Sequence, residues 1–441
     1  MPDRKRKTGL LTSPSRRLLR LGGLVGRVGA SVASDRALGL LRSGPALEAQ
    51  RVENLVKNAV RVAETLGEMK GAAMKVGQML SLHANWLPEE VAEVLRSLQR
   101  EAPRVPPEVM RYEVEGSLGA PIGELFEHFD EEAFAAASIG QVHAARLADG
   151  RDVAVKIQYP AIREIVTADL KNLKRLFKSL FAMIFEADFE PLWEEMRDRL
   201  LEELDYEHEA ENMRTMRELH SDVPEIVIPR VIEERSTDRV LTMEFVDGIA
   251  PRDASSDAFP QDLRDRWGQV LFEFQFRGLF EHRVMHADPN LANFSFLDDG
   301  GVVVYDFGSV KHVPDALANG YARLIEAVLE DRLEGVPEIL VGIGATRGDG
   351  SPVELELLEP YLEMLADIFR REPAYRFGED PELLEKIMDA GLQSWSAVTD
   401  FRFPQDVIFV DRSLAGHFGN LMRFEASGPW AEIAETYARA V

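Results

Sequence analysis

The sequence predicts an α+β chain, and two features carry that reading. Short runs of small and β-branched residues flank an Asp-Gly turn at 148–151 and an Asp-Asp-Gly-Gly turn at 298–301, which marks two β-hairpins. Around them, apolar residues recur at helical spacing over 49–99, 162–218, 262–285 and most of the chain after Pro314. No internal repeat or low-complexity tract interrupts the pattern.

Residues 1–48 are rich in Gly, Ser and Arg and end in Ser43-Gly44-Pro45, so they are expected to form a loosely ordered or surface-binding arm. Helical spacing follows: Ala72, Val76, Met79, Leu80 and His83 share one face, while Gly71, Lys75 and Gln78 share a second. Gly77 within that helix costs about 1 kcal/mol relative to Ala. Pro103, Pro106 and Pro107 close the segment, and a helix is expected from about Glu108 to Leu118. The first hairpin is expected to join Ala137–Leu147 to Asp152–Gln158 and to place Lys156 near the end of its second strand. Val227–Ile232 and Val240–Glu244 read as two further strands, and Phe294–Leu297 with Val302–Tyr305 as the second hairpin.

Composition excludes several classes of protein. The 441 residues are 45% hydrophobic and 29% charged, enough apolar material for sizeable cores. Absence of cysteine removes disulfide scaffolds, cysteine zinc sites and cysteine nucleophiles. A formal charge of −25 argues against a nucleic-acid partner. The imbalance is uneven: residues 1–42 hold ten Lys/Arg and two Asp, a net +8, so the rest carries −33. No window of eighteen apolar residues is free of charge, and no secretory signal is evident. The expectation is a soluble, cytoplasmic protein, peripheral on the inner face of a membrane if it touches one.

Three signals meet in one order: Lys156 on a strand after a hairpin, the string His286-Ala287-Asp288-Pro289-Asn290-Leu291-Ala292-Asn293, and Asp306-Phe307-Gly308 after a hydrophobic strand. Together they match a phosphoryl-transfer layout. In it a lysine orients phosphates, an Asp-x4-Asn loop serves acceptor and metal, and a second aspartate holds Mg²⁺. Such chemistry is mostly positioning and charge neutralisation, so it needs one cation for the phosphates and hard oxygen ligands for Mg²⁺. Asp288 and Asn293 are five residues apart, and the thirteen-residue step to Asp306 accommodates the second hairpin. P-loop, dinucleotide-binding and H-E-x-x-H motifs are absent.

On these residues the chain resembles the UbiB family of atypical protein-kinase-like ATPases, also called aarF-domain kinases, over about 50–315. The resemblance rests further on Lys75-Val76-Gly77-Gln78, on Ala135-Ala136-Ala137-Ser138-Ile139-Gly140-Gln141-Val142, and on Val153-Ala154-Val155-Lys156. Glu203-Leu204-Asp205, Glu209-Ala210-x-Asn212 and Met243-Glu244-Phe245-Val246-Asp247-Gly248 complete it. It implies a two-lobed kinase-like fold with a helical N-terminal extension (49–110), an N-lobe with a helical insert (111–246) and a helix-rich C-lobe (247–441). It implies ATP and Mg²⁺ as cofactors, with Lys156 on the phosphates, Glu209 as its helix partner, Asn293 and Asp306 as metal ligands and Asp288 as the catalytic-loop aspartate. Glu244 would contact adenine. Lys75 would pair with Glu203 and Asp205, and Gln78 would lie with Lys75 across the cleft. If the helix continues through this region, Asp205 and Glu209 share a face and Glu203 is rotated by about 200°. A solvated acidic face is the alternative, given Glu202, Glu207 and Glu211.

Ala135, Ala136, Ala137 and Ser138 stand where kinases carry a glycine-rich loop, and each Cβ restricts approach of backbone N–H groups to phosphate. The phosphates should then be covered differently, and with Lys75 and Gln78 across the cleft a protein substrate would have poor access, so protein phosphorylation is less expected than ATP hydrolysis or transfer to a small lipid-like molecule. Asn290, Leu291 and Ala292 replace the family's usual His-Pro-Gly, so low turnover is an expectation. The resemblance implies work on ubiquinone or other isoprenoid-lipid precursors, with possible biosynthetic-complex partners. The basic arm (Arg4–Lys7, Arg16, Arg17, Arg20) would favour an anionic membrane surface. An aromatic stripe, Leu176, Phe177, Leu180, Phe181, Ile184 and Phe185, offers a second contact or an internal one. The alternative function is a nucleotide-binding pseudokinase scaffold that organises a complex without significant phosphotransfer. An ordinary protein or small-molecule kinase is disfavoured by the alanine loop and the extension.

Overall fold

A computed structural model describes residues 105–137, 139–164, 166–167, 170, 174, 190–372, 374–379 and 401–439. The basic arm, the extension with Lys75 and Gln78 up to residue 104, Ser138 and the aromatic stripe lie outside the described residues. The described chain forms two units: one of residues up to Glu207 with Ile232–Thr242, the other of His208–Val231 with residues from Met243 on.

In the first unit, helix α1 (Pro107–Leu118) begins with proline at its first helical position and ends at Gly119, whose φ of +75° suits glycine. Met110 and Val114, one turn apart, are fully buried. They pack with Val153, Val155 and Ile157 in one apolar cluster. The sheet contains β1 (His128–Phe129), β2 (Ala135–Ala136), β3 (Gly140–Arg146) and β4 (Asp152–Gln158). β3 pairs antiparallel with the other three, and its turn to β4 passes through Gly150 at φ +88°, as the Asp-Gly signal requires. The expected strand start at Ala137 is corrected. Ala137 N donates to Gly140 O at 2.9 Å, so the chain reverses there and Ala135–Ala136 folds back on Gln141–Val142.

Helix α2 (Glu190–Glu202) and helix α3 (Tyr206–Leu219) are separate, which corrects the continuous helix expected through 203–209. Leu204 N donates to Leu201 O (3.2 Å) and Asp205 N to Glu202 O (3.0 Å), closing a turn. The Leu204 carbonyl accepts from Gln158 Nε2 (3.0 Å) and Arg163 Nη2 (2.6 Å). A carbonyl held by two side chains ends the helix, so Glu203 lies in the turn and Asp205 just before α3. The strand expected over 227–232 shortens to β5 (Ile226–Val227), because Pro229 has no N–H for a ladder. β6 (Val240–Glu244) forms as expected and joins the first sheet beside β4.

The second unit is built on helix α4 (Gln261–Phe276), which does not run to 285 as expected. A π-type turn over Arg277–His282 and left-handed Arg283 (φ +55°) end it. The next residues form β7 (Val284–His286). β8 (Phe294–Phe296) and β9 (Val302–Val304) form the second hairpin, with β5 parallel to β9. β10 (Val310–His312) pairs with β7. Helices α5 (Asp315–Leu329), α6 (Leu355–Arg370), α7 (Gln405–Phe424) and α8 (Trp430–Ala438) follow, making the helix-rich region expected after Pro314. Among the described residues no helix is long and apolar enough to cross a membrane.

Burial in this unit has a pH consequence. It pushes His220 and His417 down to about 3, helped at His220 by the charges of His282 and Arg277 and at His417 by His286. An unfolded histidine titrates near ~6.5, so below that pH the unfolded chain takes up protons that the folded chain refuses. Their contribution is therefore present above pH ~6.5 and lost as pH falls toward 3. Asp411 acts in the opposite sense. Burial beside Tyr321 raises it to about 6, so the folded chain holds that proton and offsets one histidine as pH falls toward ~4. Between pH 6 and 4 stability is expected to fall by roughly 1 kcal/mol per pH unit from these three groups. Urea unfolding at pH 7, 6 and 5 checks this, and equal midpoints would contradict it.

Candidate active site

The second unit brings Asp288, Asn293 and Asp306 together through backbone pairing. The β8–β9 hairpin starts just after Asn293 and ends just before Tyr305, with Phe294 opposite Val304 and Tyr305 N donating to Asn293 O at 2.9 Å. Asn293 and Asp306 therefore sit at its open end. β7 and β10 meet beyond it, His286 opposite Val310, and Ala287 N donates to Ser309 O at 2.9 Å.

The carbonyls of Asp306 and Phe307 are both held by side chains. Buried His286 donates from Nε2 to Asp306 O at 2.6 Å, which fixes its tautomer. Asn212 Nδ2 on α3 donates to Phe307 O at 2.9 Å. Phe307 is fully buried, edge-on to the His286 ring at 5.5 Å. Gly308 N donates to Asp306 Oδ1 at 3.1 Å, orienting the carboxylate. Tyr305 OH donates to Val246 O at 3.0 Å and pairs with Ser295 Oγ at 2.6 Å.

The Asn290-Leu291-Ala292 departure is accommodated locally. Asn290 Oδ1 accepts from Ala292 N at 3.1 Å and caps a 3₁₀ turn over Leu291–Asn293. Asp288 Oδ1 accepts from Asn290 N at 3.1 Å, and Asn293 Nδ2 donates to Asp288 O at 3.4 Å. With its nitrogen so used, Asn293 keeps an amide oxygen as an acceptor. Glu244, at the end of β6, accepts from Arg230 N at 3.0 Å and pairs with the Arg230 side chain at 3.6 Å. Glu209 lies on α3 and is 2% exposed.

The first unit holds the other candidates. Strand alternation puts Val153, Val155 and Ile157 in the apolar core and Lys156 on the opposite face, across from Val142. Lys156 is 8% exposed and its Nζ lies 5.1 Å from the centre of the Tyr206 ring, a cation–π placement. Gly140 makes room beneath. A Cβ there would stand 2.3 Å from Ile157 O and 3.0 Å from Tyr206 OH. Gly140→Ala is therefore expected to cost about 1–3 kcal/mol, read from the urea midpoint, and an unchanged midpoint would refute it. Ala135–Ala137 occupy β2 and the reversal after it, while Glu203 and Asp205 occupy the turn pinned by Gln158 and Arg163.

Sequence reading missed Asn212 as an anchor for Phe307, Tyr206 under Lys156 and the Asn290 cap. Only Asn290 had a local signal, an Asn opening a short turn. The donor set suits a hard divalent cation: Asp306 supplies carboxylate oxygen and Asn293 amide oxygen. Among the described residues no group of three His, Cys, Asp or Glu is placed to hold a metal.

A family model described as the ABC1 atypical kinase-like domain matches residues 97–340. The chain belongs to this family. It is 31% identical over 400 residues to "Atypical kinase coq-8, mitochondrial" of Caenorhabditis elegans, covering 86% of this chain and 51% of that one. It is 33% identical over 333 residues to "Atypical kinase COQ8B, mitochondrial" of Rattus norvegicus, covering 75% and 63%. A solved structure described as the complex of Rv3197 and erythromycin from Mycobacterium tuberculosis superposes with TM-score 0.64 at 28% identity, covering 88% of this chain and 98% of that one. These agree with the UbiB resemblance and with an α+β kinase-like fold. The chain spans about half the length of the curated relatives it matches.

Proposed function

We propose that this ABC1-family chain is a Mg²⁺-dependent, ATP-using atypical kinase or ATPase that supports ubiquinone or other isoprenoid-lipid metabolism at a membrane surface. The observation that carries the reading is the joint anchoring of Asp306, Asn293 and Asp288 at the open end of one hairpin, with the carbonyls of Asp306, Phe307, Asn293 and Asp288 each held by a hydrogen bond. Bound Mg²⁺ would neutralise phosphate charge. Asp306 and Asn293 are its protein ligands in this reading, and Asp288 accepts a proton from, or orients, the attacking hydroxyl or water. Lys156, buried and held over Tyr206, orients the phosphates, with Glu209 as the helix acid and Glu244 at the adenine end. Ala135–Ser138 cover the phosphates, and Lys75 and Gln78 work with Glu203 and Asp205. Lipid precursor, anionic surface and complex partners belong to this proposal through the family.

Phosphate release from Mg-ATP, measured with and without anionic vesicles carrying an isoprenoid quinone precursor, tests it. Turnover that rises with vesicles supports the lipid-coupled enzyme. Absence of turnover, with Mg-nucleotide still raising the melting temperature, would replace it by the nucleotide-binding scaffold.

A further inference from the structure

Helix α7 lies beyond residues 97–340, the span matched by the family model, yet it touches the catalytic loop on both sides of Asp288. Ser413 Oγ donates to His286 O at 3.2 Å, and Asn420 Nδ2 donates to Pro289 O at 2.7 Å. Between them Gly416 leaves space for the proline: a Cβ there would stand 2.3 Å from Pro289 Cγ. Positions 413, 416, 417 and 420 follow helical spacing, so a single face of α7 makes all these contacts. The fourth, His417, meets the Phe294 ring edge-on at 5.9 Å, next to Asn293, and contacts Gln275 of α4 through Nε2 at 2.6 Å. Ser413, His417 and Asn420 are all buried.

Buried polar groups that each find a partner fix geometry, because losing one leaves a desolvated carbonyl unpaired. We propose that α7 positions the catalytic loop, with Asn420 and Ser413 as positioning residues for Asp288. The inference rests on the role given to Asp288 and Asn293 above. Both bond backbone carbonyls of the loop and so hold the backbone from which Asp288 projects.

Asn420→Asp places an acceptor against the Pro289 carbonyl, Gly416→Ala pushes the proline away, and Asn420→Ala removes the donor if the first variant does not fold. Two readouts are taken on the full chain: kcat and KM for Mg-ATP hydrolysis, and hydrogen exchange at the amides of Ala287 and Asn293, which bond Ser309 O and Asn290 O. Displacement of a positioned group costs roughly 10- to 100-fold in rate, so kcat is expected to fall by that factor with KM little changed. Exchange at the two amides is expected to quicken while that of α4 does not. Unchanged loop exchange in a folded variant overturns the inference whatever the turnover. Unchanged kcat in an active protein overturns it too. If the wild type hydrolyses no ATP, the enzyme reading fails separately, and exchange alone decides whether α7 holds the loop.

Discussion

Asp306→Asn is expected to lower saturating Mg-ATP turnover by about 10²–10³-fold, equivalent to roughly 3–4 kcal/mol of transition-state stabilisation. The substitution is nearly isosteric, and its amide oxygen can still accept from Gly308 N, now 3.1 Å from Asp306 Oδ1. The His286–Asp306 and Asn212–Phe307 bonds run to backbone carbonyls and do not need the carboxylate. What disappears is the negative charge that a hard divalent cation favours. Stability should therefore hold while activity collapses, and phosphate release beside a thermal melt separates the two. Retention of more than about a tenth of the wild-type rate would remove Asp306 from the metal site.

Trp267→Ala should be the most damaging of the apolar truncations. Trp267 is fully buried on α4, and its Nε1 donates to Leu297 O at 2.9 Å. Its ring lies 5.4 Å from Phe296 and 6.2 Å from Phe424, joining the β8–β9 hairpin to α7. Truncation opens a large cavity and removes one of the two hydrogen bonds to Leu297 O, which keeps Gly300 N at 3.0 Å, for a loss of about 3–5 kcal/mol. That is a large share of the ~5–15 kcal/mol by which a typical domain is stable. Trp267→Phe should lose less by keeping most of the ring volume. Urea midpoints of the two variants decide it, and a shift below about 1 kcal/mol for Trp267→Ala would mean the core collapses around the gap.

The sequence carried its local decisions openly. Gly150 and Gly300 both adopt positive φ where the Asp-Gly pairs placed turns, so both hairpins were legible, as was the thirteen-residue spacing that carries Asn293 round to Asp306. α1 was legible from its prolines and the 3.6-residue period. The break at Glu203–Asp205 was not, because periodicity on either side reads as helix and the interruption comes from Gln158 and Arg163, more than forty residues upstream. The end of α4 was hidden in the same way: Val284–His286 look helical until β10 offers its backbone as a partner.

By itself, then, the sequence determined the order of elements, the turns and the residue types of the proposed phosphoryl-transfer site, because each depends on residues a few positions apart. Tertiary structure alone decided which groups hold those residues still. Asn212 reaches Phe307 across 95 positions and Asn420 reaches Pro289 across 131. A hydrogen bond needs its atoms within about 3 Å, and no local pattern records which distant segment meets that distance until the chain has packed.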